Sequence, residues 1–349
     1  WSMTTIWSPS AKWKLWRAAT LPAVCRDKGR AMTALERMED AGILPVVPLE
    51  HTADAVPAAK ALLAGGVRVM VLSYGTELAD SIAAIADTCP EMLVGAGMVL
   101  TLEQCQAAAA SGAAFVTMPG YNAQAVAWCQ EQQLCVIPGC ATPTEIMAAG
   151  AQGVDTVGFV PAELYGGLRG LALLQAAFPQ MRFLPAGGIE SSSLAEYLCA
   201  PGVLAVCGDW LCPRELVVKA QFDQVTALAA QARKAVLGFE IAHIGINTVD
   251  DQASLAVCEE LENAFGFGIK QGSSSNFAGS AVEVMKSMYL GKNGHLAIRT
   301  NNIPRAAAEL RRHGYEMDES TAKFKNGKPL AIYLNREFGG FAVHLLQKS

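Results

Sequence analysis

The sequence predicts an α/β chain: a (β/α)8 barrel followed by a smaller α+β domain of two βαβββ modules. Three observations carry this. From residue 43 a short apolar run, a turn and an amphipathic stretch recur eight times; the pattern stops at Gly238; beyond it, two stretches each repeat the order strand, helix, three strands. Apolar runs bounded by Gly, Pro or polar residues suit strands buried on both faces. Eight such units in series favour a barrel over a doubly wound sheet. In a barrel, function belongs at the C-terminal ends of the strands.

At 349 residues the chain exceeds one barrel by roughly 100 residues, which predicts two domains. Hydrophobic residues at 52% against charged residues at 17% describe a large core, far from the disordered class. A net charge of -5 argues against a nucleic-acid partner. Gly, Pro or a charge interrupts every apolar run before the roughly 18 residues a membrane span needs. The ten cysteines contain no C-x-x-C pair and read as reduced core thiols of a cytoplasmic protein.

Residues 1–31 hold four of the six tryptophans without periodicity and are set aside as an extension, Met32 marking a more natural start. Strands are expected over Ile43 to Leu49, Val67 to Tyr74, Met92 to Val99, Ala113 to Pro119, Leu134 to Cys140, Asp155 to Ala162, Arg182 to Gly188 and Val203 to Trp210. Helices such as Ala53 to Leu63, Glu77 to Asp87 and Leu102 to Ala110 lie between them, Ala and Leu recurring at helical spacing. The barrel domain spans 32–212. A long helix, Pro213 to Leu237, leaves it, within a connection over 213–238. In 239–349 one unit runs strand Glu240 to Asn247, helix Ala253 to Phe265, then strands near Ile269 and over Phe277 to Met285. The next runs strand His295 to Thr300, helix Pro304 to His313, then strands near Thr321, over Leu330 to Leu334 and over Phe341 to Gln347.

The motifs Ala64-Gly-Gly-Val-Arg-Val, Val94-Gly-Ala-Gly, Ile137-Pro-Gly-Cys-Ala-Thr-Pro, Pro161-Ala-Glu and Gly187-Gly-Ile resemble those of the KDPG/KHG aldolases, class I lyases that cleave 2-keto-3-deoxy-6-phosphogluconate or 4-hydroxy-2-oxoglutarate to give pyruvate. The resemblance covers about residues 40 to 215 and implies a homotrimer and a small-molecule partner. In that family the sixth strand reads roughly Phe-Lys-Phe-Phe-Pro-Ala-Glu, and its lysine forms a Schiff base with the keto acid. Here Gly158 stands at the lysine position, Val71 at that of a proton-transferring glutamate and Gly75 at that of a substrate-binding arginine. No lysine lies between Lys60 and Lys219, so imine chemistry, which needs a primary amine at the strand ends, is not expected. A metal-assisted route is not expected either, since His51 is the barrel's one histidine; no barrel cofactor is implied.

The barrel mouth is expected to be lined by Val71, Gly75, Met98, Met118, Tyr121, Gly158, Val160, Ala186, Gly187, Gly188 and Cys207, with Ser73, Tyr74 and Asp209 as its candidate catalytic groups. Gly187 and Gly188 could still form an anion-binding nest, but the carboxylate of Asp209 would repel phosphate there. Two readings stand: core residues filling a disused cavity, or a cavity relined, by divergence or redesign, for a small ligand, a 2-oxo acid or a more apolar compound, with Asp209 as base.

In the second domain, Ala-His-Ile-Gly-Ile (242–246), Ala-Val-Glu-Val-Met (281–285) and Gly-His-Leu-Ala-Ile (294–298) resemble the vicinal oxygen chelate superfamily, which includes glyoxalase I. That resemblance implies four ligands from the first and last strands of the two modules: His243, Glu283, His295 and His344. Three of the five histidines fall on these positions, a set able to hold zinc, nickel or iron. A metal-dependent reaction on an oxo compound is thus the alternative to a relined barrel, and a non-catalytic binding or assembly protein is a third reading.

Overall fold

The computed structural model describes residues 32–75, 77–325 and 327–348; the extension expected over 1–31 lies outside them. The chain divides into two compact units, with the boundary between Val236 and Leu237.

The first unit opens with α1 (Ala34–Ala41), started by a capping box in which Thr33 and Glu36 exchange hydrogen bonds. Eight strands follow: β1 (Ile43–Val47), β2 (Val69–Ser73), β3 (Leu93–Gly97), β4 (Phe115–Thr117), β5 (Cys135–Ile137), β6 (Thr156–Phe159), β7 (Arg182–Pro185) and β8 (Val206–Gly208). Helices α2 (Ala55–Ala64), α3 (Leu78–Thr88), α4 (Leu102–Ala110), α5 (Ala123–Glu131), α6 (Pro143–Ala151), α7 (Gly167–Ala177) and α8 (Leu194–Cys199) alternate with them. All the strand pairs are parallel. Six strands form one curled sheet in the order β5-β4-β3-β2-β1-β8, and β6 and β7 form a separate pair. Single bridges, Gly139 to Gly158 and Phe183 to Val203, link that pair to the strands on either side. The expected strands are present but shorter, because their outer residues curve away into loops before the ladder can continue.

Alternation along the strands sorts side chains into two layers. Met70, Leu72, Val94, Val116, Val157 and Phe159 pack toward the helices. Val69, Val71, Leu93, Phe115 and Leu184 pack together on the other face, where Met38 of α1 joins them. Gly158, between Val157 and Phe159, therefore belongs to the inner face.

The helix expected to leave this unit instead packs along it, broken into α9 (Arg214–Val218) and α10 (Phe222–Leu237) around Ala220, whose φ is 52°. Val225, Ala229, Ala232 and Val236 enter the helix-side core, and Arg233 donates to the carbonyls of Asp40 and Ala41.

The second unit contains β9 (Glu240–Asn247), α11 (Asp251–Phe265), β10 (Ile269–Gln271), β11 (Ser275–Ala278) and β12 (Val282–Met285), then β13 (Gly294–Thr300), α12 (Ile303–Arg312), β14 (Met317–Lys325), β15 (Lys328–Phe338) and β16 (Phe341–Gln347). The single strand expected over Phe277 to Met285 is a hairpin, turned where Gly279 takes φ 63°. Asp250 and Asn302 cap the two helices, accepting from the Ala253 and Arg305 amides.

All eight strands make one sheet in the order β10-β11-β12-β9-β13-β16-β15-β14, so the first strands of the two modules lie side by side at its centre. Residues of one parity pack under the helices: Ile246 and Val284 near α11, and Ile298, Ile332, Val343 and Leu345 near α12. The opposite parity places His243, Gly245, Glu283, His295, Ala297, Tyr333 and His344 together on the other face.

Candidate functional site

Both units hold a candidate site. In the first, the C-terminal strand ends surround a cavity of about 90 Å³. Of the residues expected there, Val71, Ser73, Met98, Met118, Gly158, Val160, Ala186 and Cys207 line it. Tyr74, Gly75, Tyr121, Gly187, Gly188 and Asp209 do not. Tyr121 turns away, its hydroxyl donating to the Ala148 carbonyl at 3.2 Å. Gly187 and Gly188, at φ 91° and 79°, turn the chain away after β7, and Asp209 is exposed past the end of β8. Val46, Gly97, Thr117, Pro119, Ile137 and Leu184 complete the lining. Extending the inner-face parity of Val71 to the neighbouring strands would have found Val46, Ile137 and Leu184.

The chamber is nearly neutral. No carboxylate, imidazole or amine lines it among the described residues, and burial pushes its Cys207 thiol up to about 12. Its polar groups are the hydroxyls of Ser73 and Thr117. A Cβ at Gly158 would meet the Gly139 Cα at 3.6 Å and the Pro138 carbonyl at 3.8 Å, ordinary contacts, so the backbone there accepts a side chain. Nearby, the Tyr197 hydroxyl donates to Glu163 at 2.5 Å. Burial, together with that carboxylate, raises the phenol above its usual range.

In the second unit the sheet register assembles the four residues singled out. Gly245 of β9 stands between Glu283 of β12 and His295 of β13, while Ala297 stands between His243 and His344. The two smallest side chains thus separate four large polar ones. A Cβ on Gly245 would fall 2.0 Å from Cε1 of His295, so the ring occupies the space a side chain would need. Oε2 of Glu283 lies 3.0 Å from Nε2 of His243 and 3.1 Å from Nε2 of His295, and the two Nε2 atoms are 3.3 Å apart. One ring nitrogen from each of the three histidines lies within 4.8 Å of the others. Donors bonded at about 2.0–2.2 Å to one cation, at angles between square and tetrahedral, stand about 2.9–3.5 Å apart.

The electrostatics favour deprotonated donors. Burial pulls the Glu283 carboxyl up, but hydrogen bonds from His243, His295 and Ser275 outweigh it and hold the group well below the usual carboxylate range. Ser275 donates to Oε1 at 2.5 Å, leaving Oε2 toward the imidazoles. Burial, reinforced by His295 and His243, pushes His344 down to about 3, so its ring is neutral at ordinary pH. Nδ1 of His295 and of His344 is buried without a partner. The cluster forms one wall of a cavity of about 360 Å³, completed by Ser273, Ser274, Met285, Lys286, Ser287, Tyr289, Lys323, Ala331 and Tyr333. Sequence reasoning missed Tyr333 and Lys323, although alternation along β15 places Ala331 and Tyr333 on the ligand face.

The first unit, parallel strands with a chamber at their C-terminal ends, is an aldolase-type α/β fold. A sequence profile described as KDPG and KHG aldolase matches residues 35–228, and the chain belongs to that family. The 2-dehydro-3-deoxy-phosphogluconate aldolase of Treponema pallidum is 44% identical over 206 residues, 59% of this chain and 98% of that protein. The KHG/KDPG aldolase of Escherichia coli K12 is 38% identical over 191 residues, 54% and 90% respectively. A solved KDPG aldolase from Legionella pneumophila, with pyruvate captured at low pH as a covalent carbinolamine, superposes with a TM-score of 0.55. It is 32% identical and covers 57% of this chain and 97% of that one. These matches concern the first unit. Of the second, the strands, register and polar cluster stand as described, and no helix of the described residues is long and apolar enough to cross a membrane.

Proposed function

We propose that the first unit is a complete (β/α)8 barrel that keeps the aldolase frame and has lost imine catalysis, its chamber relined for a small ligand less charged than a sugar acid. The observation that carries this is Gly158 at the inner-face position where the family's lysine belongs, in a chamber lined by no amine among the described residues. Val71 in place of the glutamate also leaves no group to move a proton at the reacting carbon. The bridges flanking β6 and β7 support closure of the barrel. Resemblance supports a cytoplasmic homotrimer. Incubation with pyruvate and borohydride, read by intact mass, tests the loss of imine chemistry. No added mass is expected on the wild-type chain; a stable pyruvate adduct would show that another amine does the work.

The register-built cluster favours a second reading, in which the C-terminal unit is a vicinal oxygen chelate domain acting on an oxo compound. His243, Glu283, His295 and His344 would hold a divalent ion, zinc, nickel or iron, and that ion would supply Lewis-acid polarisation of a bound oxygen. The separations among the Glu283, His243 and His295 donors, the ionised Glu283, the neutral His344 and the space left by Gly245 suit such an ion, and His344 brings a ring nitrogen within 4.8 Å of the other two histidines. Metal analysis of the purified chain tests this: one equivalent is expected, lost in His243→Ala and His295→Ala. A metal-free protein that takes up none of the three ions on titration would overturn it and leave a binding or assembly role.

A further inference from the structure

We infer that the C-terminal cavity selects a small dianionic acid, gripped at one end by the metal centre and at the other by Lys323. This rests on the metal-centre reading above and adds the class of ligand. Lys323 lies on β14, at the edge of the sheet, in register with Ala331 of β15. The next residue, Phe324, packs into the core under α12, so strand alternation sends Lys323 to the opposite face, where it lines the same cavity as the three histidines.

Two features make Lys323 a recognition group. The cavity's other cation, Lys286, is held by Asp251 at 2.9 Å, whereas Lys323 pairs with no carboxylate among the described residues. Glu283 is the one carboxylate among the described lining residues, and a divalent ion would more than neutralise it. The loaded cavity would then be net positive, with the hydroxyls of Ser273, Ser274 and Ser287 around it.

The register places both grips on one face of the sheet. Lys323 stands opposite Ala331, and His344 opposite Tyr333, two residues along β15. β14 and β16 are separated by β15 alone, a backbone distance of about 10 Å across the strands. An acid with an oxygen pair at one end and a carboxylate at the other can meet both the ion and Lys323. A monocarboxylate chelated at the ion leaves no second charge for Lys323.

Calorimetric titration of zinc-loaded full-length protein with 2-oxoglutarate and with pyruvate tests this, with metal content measured on the same samples. Wild type is expected to bind 2-oxoglutarate at least tenfold more tightly than pyruvate. Lys323→Met should abolish that preference at unchanged zinc content, and Lys323→Arg should keep most of it. Equal affinities in wild type, or a preference that survives Lys323→Met, would overturn the inference while leaving the metal centre standing. Failure of the protein to take up zinc, nickel or iron would overturn both.

Discussion

The imidazole of His295 occupies the space above the α-carbon of Gly245, its cross-strand neighbour, where a Cβ would lie only 2.0 Å from Cε1. That vacancy lets a fully buried ring lean across β9 toward Glu283 on the far side. An alanine at 245 would force His295 away from Oε2, toward the cavity it lines. Gly245→Ala is therefore expected to weaken divalent-metal affinity by at least tenfold with the sheet otherwise retained, read by zinc competition with a chromophoric chelator and by circular dichroism. Unchanged affinity would mean that His295 is not a ligand.

Ser275 holds the other oxygen of the same carboxylate, from within a buried hairpin strand. Partners of this kind orient a ligand and commonly matter by about 10–100-fold in metal affinity. Ser275→Ala should fall in that range, and Ser275→Thr should recover part of the loss by restoring the hydroxyl. An alanine variant that binds as tightly as wild type would assign Ser275 to packing alone.

The period of two explains which of these features were legible in the sequence. Residues such as Val157, Gly158 and Phe159, or Leu296 and Ile298 around Ala297, announce their faces by alternation, so strands could be placed without coordinates, whereas the four-residue cluster came from the family resemblance. The chamber at the strand ends was less legible. Tyr121, Gly187, Gly188 and Asp209 lie in loops beyond the strand ends, where no periodicity fixes direction, and the structure turns them out of the chamber. The break at Ala220 was likewise hidden, because an apolar helical pattern continues on both sides of this left-handed residue, and the helix beyond it packs into the core.

That packing gives a stability prediction in the first unit. A Cβ at Gly65, the residue ending α2, would meet the Ala229 Cβ at 2.4 Å and the Thr226 carbonyl at 2.8 Å. Both contacts belong to α10, which is also tied to Ala61 by the Thr226 hydroxyl. Overpacking a well-filled core costs about 1–3 kcal/mol. Gly65→Ala is expected to lower the urea midpoint of this unit's unfolding accordingly, while Gly120→Ala, in open space and outside the left-handed region, should cost little. Equal effects at both positions would show that the contact between α2 and α10 is not the source of the cost.

The chamber itself predicts the outcome of restoring the missing groups. A Cβ fits at Gly158 without contacts shorter than 3.6 Å, and Val71 lines the same cavity. Lysine introduced alone at 158 would be desolvated in an apolar space, which lowers an amine's pKa and favours the nucleophilic form. Gly158→Lys should therefore trap pyruvate under borohydride where wild type does not. Turnover also needs a proton relay, worth about 10²–10⁴ in rate. Val71→Glu alone would bury an unpaired carboxyl next to Gly97 and should destabilise the protein, whereas Gly158→Lys with Val71→Glu offers each charge a partner. The double variant should melt above the glutamate single variant and release pyruvate from 2-keto-3-deoxy-6-phosphogluconate faster than the lysine variant. If the lysine variant forms no adduct, the chamber is closed to pyruvate, and the proposed relining extends beyond positions 71 and 158.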